Sequence, residues 1–229
     1  SASELTLIIE RAPAKSSAPK ISILKLVTNL PFLAITVATF CHNWALFTFL
    51  SYLPKFVNSP ESLGGLGIDL DSSFFILLIL IPSFFSVAFL IAGGFLADSL
   101  IKKKYQVIKV RKSLNSIGFF GSAFFLFLIP FQDSHFFIIS LLCGTNICTG
   151  LAAGGFGVNH ADLGPRHTGT LVGISGSLGM IAAVIGPLAA GFILEITNSW
   201  ELIFHICSFI LLFGGIFYLI FAGAKKQFD

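Results

Sequence analysis

Asn159, His160, Asp162, Arg166 and His167 crowd into one short stretch, "GVNHADLGPRHTGTLVGIS" (157–175). Two chemistries fit those side chains. His160, Asp162 and His167 are metal-ligand types, and an imidazole beside a carboxylate can pass protons. The stretch holds no Cys, Glu or further His to complete a ligand set. Strongly apolar sequence flanks it on both sides. Neither reading is therefore carried forward: the chain is expected to be no enzyme, with no catalytic residue, no metal site and no cofactor.

A second set of polar residues lies inside the apolar runs. Thr36, Thr39, His42 and Asn43 fall on an arc of about 120° at ~100° per helical residue. Thr145, Asn146 and Thr149 form a patch on another run. Polar groups in lipid cost free energy unless they pair, pack inward or face water. A polar site halfway across a bilayer is where a transporter holds its substrate. Hydrogen-bonded contact between helices is the alternative, and it is preferred for the threonines. The substrate-cavity candidates are His42, Asn43, Thr39, Asn146 and Thr149.

Elements able to position these groups follow from composition. The chain has 229 residues, 55% hydrophobic and 11% charged, with 27 phenylalanines. A soluble domain carries roughly twice that share of charge. After a polar Ser-, Pro- and Ala-rich opening (1–25), six apolar spans follow at about 29–53, 72–97, 113–131, 134–158, 169–194 and 200–223. Most run about 19 to 26 residues, enough to cross a core of roughly 30 Å as helices. The chain is thus read as an all-α integral membrane protein: a linker at 1–25, a six-helix bundle over 26–224 and a tail at 225–229. Asp71, Asp133, Thr168 and Ser199 are the expected helix caps. Cys41, Cys143, Cys148 and Cys207 fall within apolar runs, as buried thiols do.

Orientation follows from the basic residues. With the linker cytosolic, 13 of the 14 lysines and arginines fall on the cytosolic side and only Lys55 on the other. That asymmetry places both termini in the cytosol. The 157–175 stretch then becomes a cytosolic junction between the fourth and fifth spans, with Asn159, His160, Asp162 and Arg166 as gate candidates. Asp162 and Arg166 are four apart and can pair if the turn stays helical, which Pro165 opposes. Asp98, before Lys102, Lys103 and Lys104, joins this set as a fixed charge at a turn beside a helix end. On the fifth span Gly169, Gly173, Gly176, Gly179, Ala183, Gly186 and Ala190 recur at steps suited to close helix packing.

"GGFLAD" (93–98) followed by basic residues resembles the loop motif of the major facilitator superfamily. "FCHNW" (40–44), "YLPKF" (52–56), "VRK" (110–112), the 157–175 stretch and "IFYLIFAGAKKQ" (216–227) together resemble its anion:cation symporter branch. That branch is solute carrier family 17, which includes sialin, vesicular glutamate transporters and sodium-phosphate cotransporters.

The resemblance covers about 21–227. It implies the C-terminal six-helix bundle of a twelve-helix transporter, working by alternating access. It implies a small anionic substrate (an organic anion such as a sialate or other carboxylate, or phosphate) and a proton or sodium gradient or membrane potential as driving force. It also implies contact with lipid and an N-terminal six-helix half supplied outside this sequence, with no nucleic-acid partner. The family's substrate-binding Arg and coupling carboxylate lie in that other half. His42 stands where the vesicular glutamate branch has Arg, which argues against glutamate. Gly176 replaces the Asn that follows "GIS" in the family. The alternative function is a non-transporting half acting as a membrane scaffold or sensor; which membrane houses the chain is left open.

Overall fold

The computed structural model describes residues 21–228. Most of the linker expected at 1–25 and the last residue of the tail lie outside the described residues. Six helices are long and apolar enough to cross a bilayer: α1 (Leu30–Asn58), α2 (Ser73–Lys102), α3 (Val107–Leu128), α4 (His135–Ala152), α5 (Thr168–Thr197) and α6 (Glu201–Phe221). A π-helical segment, Ala153–Gly157, and a short helix, Asn159–Leu163, continue α4. The described residues contain no strand.

Local chemistry sets several helix ends. The Asn29 side chain accepts from the Phe32 amide at 3.0 Å at the start of α1, with Pro31 in the first turn. Ser72, not Asp71, caps α2 by accepting from the Phe75 amide at 3.1 Å. Ser134, not Asp133, occupies the cap position of α4. Thr168 is already inside α5, after His167. Trp200 precedes α6, although Ser199 Oγ still accepts from the Glu201 amide at 3.3 Å. These expectations missed by one residue because a cap is defined by backbone angles, which hydropathy does not register.

The most extensive helix contacts follow the order α5–α1–α6–α3–α4–α2, and α1 also touches α2. Phe56 meets Trp200 and Phe204 edge-on at one end of the α1–α6 seam, and Phe119, Leu126, Leu211 and Tyr218 fill the α3–α6 seam. Outward faces carry exposed Phe84, Phe95, Phe136, Leu188 and Phe192. Such surfaces suit hydrocarbon and not water.

Helix contacts use small residues. A carbon added at Gly150 would sit 2.7 Å from the Ser86 carbonyl and the Leu90 amide of α2. On α5 the glycine stripe divides. Gly179 and Gly186 press on α1, whereas Gly169, Gly173 and Gly176 have no atom of another element within 4 Å of the added carbon. The uniform close packing expected for that stripe holds for its second half only.

The last residues fold back across the basic end. The backbone amides of Gln227 and Phe228 both donate to the Leu163 carbonyl, at 2.7 and 3.1 Å. Asn29 Nδ2 donates to Gln227 Oε1 at 3.2 Å. The Phe228 ring is buried edge-on to Phe32, with the Lys25 ammonium 5.5 Å above it. The tail thereby joins the start of α1 to the α4–α5 junction. Phe228→Ala is expected to lower unfolding free energy by about 2 kcal/mol, below the usual range for a buried phenylalanine because the neighbouring loop can relax into the space. The thermal midpoint of the purified protein in detergent measures it, and an unshifted midpoint would show that the tail carries no stability.

Candidate functional site

A cleft of about 120 Å³ opens between α1, α2 and α4, with Leu126 of α3 and Leu211 of α6 behind it. Its α1 wall runs from His42 to Pro54 and its α2 wall from Ile79 to Ser83. It therefore occupies the half of the bundle away from the basic end, with His42 and Thr149 at its floor. Two helix-interior prolines, Pro54 and Pro82, line it. Each removes a backbone donor and leaves room for local bending.

Of the five cavity candidates, the structure brings His42, Asn146 and Thr149 to this cleft. Thr39 and Asn43 are turned to α5, where their side chains would lie 2.7 and 2.9 Å from a carbon added at Gly179. Sequence spacing put all four α1 residues on one polar arc. The arc is wide enough for its two edges to meet different neighbours.

The polar groups of the cleft are largely committed to their own helices. Ser83 Oγ donates to the Ile79 carbonyl at 2.9 Å, Thr145 Oγ1 to Leu141 at 2.9 Å and Thr149 Oγ1 to Thr145 at 2.8 Å. One Asn146 amide proton goes to the Leu142 carbonyl at 2.9 Å. Neither ring nitrogen of His42 hydrogen-bonds to another described residue; its ring lies against that of Phe156.

The gate candidates occupy a compact network nearer the basic end. Arg111 of α3 donates to both Asp162 oxygens, Nε–Oδ2 at 2.8 Å and Nη2–Oδ1 at 3.4 Å. Its Nη1 also donates to the Gly154 carbonyl at 3.0 Å, an acceptor in the π-helical segment. Asn159 Nδ2 donates to Tyr218 Oη at 2.8 Å. His160 Nε2 lies 2.7 Å from Ser175 Oγ and its Nδ1 3.2 Å from the Gly157 carbonyl. Asn159 and His160 are buried. The Arg111 contacts, the Asn159–Tyr218 bond and the His160–Ser175 bond tie the end of α4 to α3, α6 and α5 respectively.

One expectation fails here and one conditional pairing is decided. Asp162 does not pair with Arg166, which is exposed, in keeping with the opposition of Pro165. The Gly164–Pro165 break ends the short helix at Leu163 and destroys the i, i+4 geometry. Asp98 is not at a turn. Its helix continues to Lys102, and the carboxylate is exposed there. Arg111, Phe156, Ser175 and Tyr218 were not singled out from sequence. Arg111 carries a signal in "VRK" (110–112), which lies just before the third span expected at 113–131 but inside α3 of the structure.

Among the described residues no three His, Cys, Asp or Glu side chains converge as metal ligands. No protein-family model matches the chain. Individual relatives do. The chain is 31% identical to the chloroplastic ascorbate transporter of Arabidopsis thaliana over 204 residues, covering 89% of this chain and 36% of that protein. It is 30% identical to sodium-dependent phosphate transport protein 1, chloroplastic, of the same plant over 226 residues, covering 99% and 43%. It is 33% identical to vesicular glutamate transporter 3 of Danio rerio over 205 residues, covering 87% and 33%. The chain thus spans less than half the length of these relatives. Six apolar helices, the quoted motifs and similarity along nearly the whole sequence agree: the chain is homologous to part of the anion transporters of the major facilitator superfamily's solute carrier family 17.

Proposed function

We propose that this chain supplies the C-terminal half of a secondary active anion transporter that works by alternating access. A proton or sodium gradient, or the membrane potential, drives it, and the N-terminal six-helix half faces the cleft. The carrying observation is the convergence of His42, Asn146 and Thr149 on one cleft between α1, α2 and α4. The basic end, with Lys102, Lys103, Lys104, Lys109, Arg166 and Lys225, faces the cytosol in this reading.

The cleft wall favours an organic anion over phosphate. Apolar Leu46, Phe49, Leu50, Leu53, Leu126 and Leu142 dominate it, and no Lys or Arg among the described residues lines it. A phosphate ion needs many donors, whereas this wall offers His42 and one amide proton of Asn146. An anion with an apolar body gains from the rest.

Uptake of labelled phosphate, ascorbate and glutamate by the full-length protein in proteoliposomes tests the reading. No uptake of any anion would leave a non-transporting scaffold or sensor in its place. His42→Ala is expected to lower initial uptake about tenfold or more, the loss of one charge-assisted hydrogen bond. Thr36→Ala is expected to stay within about twofold, because its hydroxyl is spent on the Phe32 carbonyl of its own helix. Equal, near-unaltered rates in both variants would reject the role given to His42.

A further inference from the structure

His42 is the donor at the floor of the cleft, yet no hydrogen bond to a described residue holds its ring in place. An imidazole can turn about two side-chain bonds, so a donor without a fixed orientation recognises an anion poorly. The neighbour that supplies orientation is Phe156. The two ring centroids are 5.2 Å apart and the planes are inclined by 52°. Phe156 in turn stands edge-on to Phe119, at 5.7 Å and 90°. Phe156 and Phe119 are 7% and 1% exposed, so neither ring has space to swing aside.

The backbone behind Phe156 is fixed as well. It belongs to the π-helical segment Ala153–Gly157, a rare conformation that recurs at functional sites. Gly154 and Gly155 let that segment wedge between α2 and α3. Added carbons would lie 2.5 Å from the Gly93 carbonyl oxygen and 2.7 Å from the Asn115 amide nitrogen. Arg111 satisfies the Gly154 carbonyl from the other side. A rigid anchor therefore runs from the α3 guanidinium through the π-helical turn and the Phe156 ring to His42.

We propose that Phe156 is a positioning residue for anion recognition: its ring sets the orientation in which His42 presents an N–H to the cleft. The inference rests on the anion-transport reading above and assigns Phe156 no contact with the anion itself. Loss of the ring weakens binding, not turnover, because the donor remains present but spends less time correctly aimed.

The test uses the full-length protein in proteoliposomes, with whichever of labelled phosphate or a labelled carboxylate the unaltered protein carries. Phe156→Leu keeps most of the volume and removes the ring. It is expected to raise KM about tenfold with Vmax within about twofold, and Phe156→Tyr, which keeps the ring, to recover most of that loss. A Vmax loss at constant KM would overturn the proposal, as would a KM rise that Phe156→Tyr does not relieve.

A second readout needs no transported anion. The rate at which diethyl pyrocarbonate modifies His42, located by mass spectrometry, is expected to change about threefold or more in Phe156→Leu, with the thermal midpoint preserved. An unchanged rate overturns the positioning role. A changed rate in a protein that carries no anion leaves the contact standing and counts against the transport reading alone.

Discussion

Arg111→Ala is expected to be the most damaging single change at the basic end, costing about 3 to 5 kcal/mol of stability. The guanidinium side chain is 8% exposed and its Asp162 partner 19%. Three of its N–H groups are used, two on the carboxylate and one on the Gly154 carbonyl. Alanine leaves a largely desolvated carboxylate and a carbonyl without that donor, and desolvation is what makes removal of one partner costly. The double variant Arg111→Met, Asp162→Asn removes the charge from both sides and keeps much of the volume. It is expected to be more stable than Arg111→Ala alone. Thermal midpoints in detergent for Arg111→Met, Asp162→Asn and the double variant close the cycle. If the effects simply add, the pair is screened by solvent like a surface salt bridge and contributes at most about 1 kcal/mol.

That pair also shows how far the sequence could be read. Length and hydropathy made six membrane helices legible, because a bilayer demands a minimum apolar length whatever the packing. Which helices touch was not legible, since apolar faces meet lipid and protein alike. The junction residues were found because polar groups are conspicuous in such a chain, but their partners were not. Asp162 has a basic residue four positions away in sequence and takes another 51 positions away. Local spacing favours the first only while the helix continues, and Gly164 and Pro165 end it. Tyr218 and Ser175 escaped notice for a plainer reason: one hydroxyl in an apolar run looks the same whether it meets a buried partner or its own backbone.

The cavity set was half legible. A helical arc of about 120° places Thr36, Thr39, His42 and Asn43 on one side of α1, and they do share that side. The boundary between the cleft and the α5 contact nevertheless falls inside the arc. It is decided by Gly179, whose missing side chain admits Thr39 and Asn43. Phe156 could not be distinguished among 27 phenylalanines. Its distinction comes from the π-helical turn, which arises from packing of Gly154 and Gly155 and has no hydropathy signature.

Gly154→Val is expected to prevent the bundle from assembling, with a loss of about 3 kcal/mol or more, and Gly150→Val to act alike. Lipid tails solvate apolar side chains as well as protein does, so helices associate in membranes largely through close backbone approach. At Gly154 the first added carbon falls 2.5 Å from the Gly93 carbonyl oxygen, and at Gly150 it falls 2.7 Å from the Ser86 carbonyl oxygen. The obstacles are backbone atoms of α2, not the ends of flexible side chains, so rotamer changes cannot relieve the clash. Separating α2 from α4 also opens the cleft, because Ile79, Ser83, Asn146 and Thr149 line it from those two helices. Gly173→Val provides the contrast. It changes the same residue type to the same side chain on another membrane-spanning helix, where no atom of another element lies within 4 Å of the added carbon. Its effect on bundle stability is expected to stay within about 1 kcal/mol, mostly the modest propensity change for valine in a helix. Yield of monodisperse protein after detergent extraction, followed by thermal midpoints of what is recovered, separates the cases. If Gly154→Val is as well behaved as Gly173→Val, the α2–α4 seam is looser than its backbone contacts require.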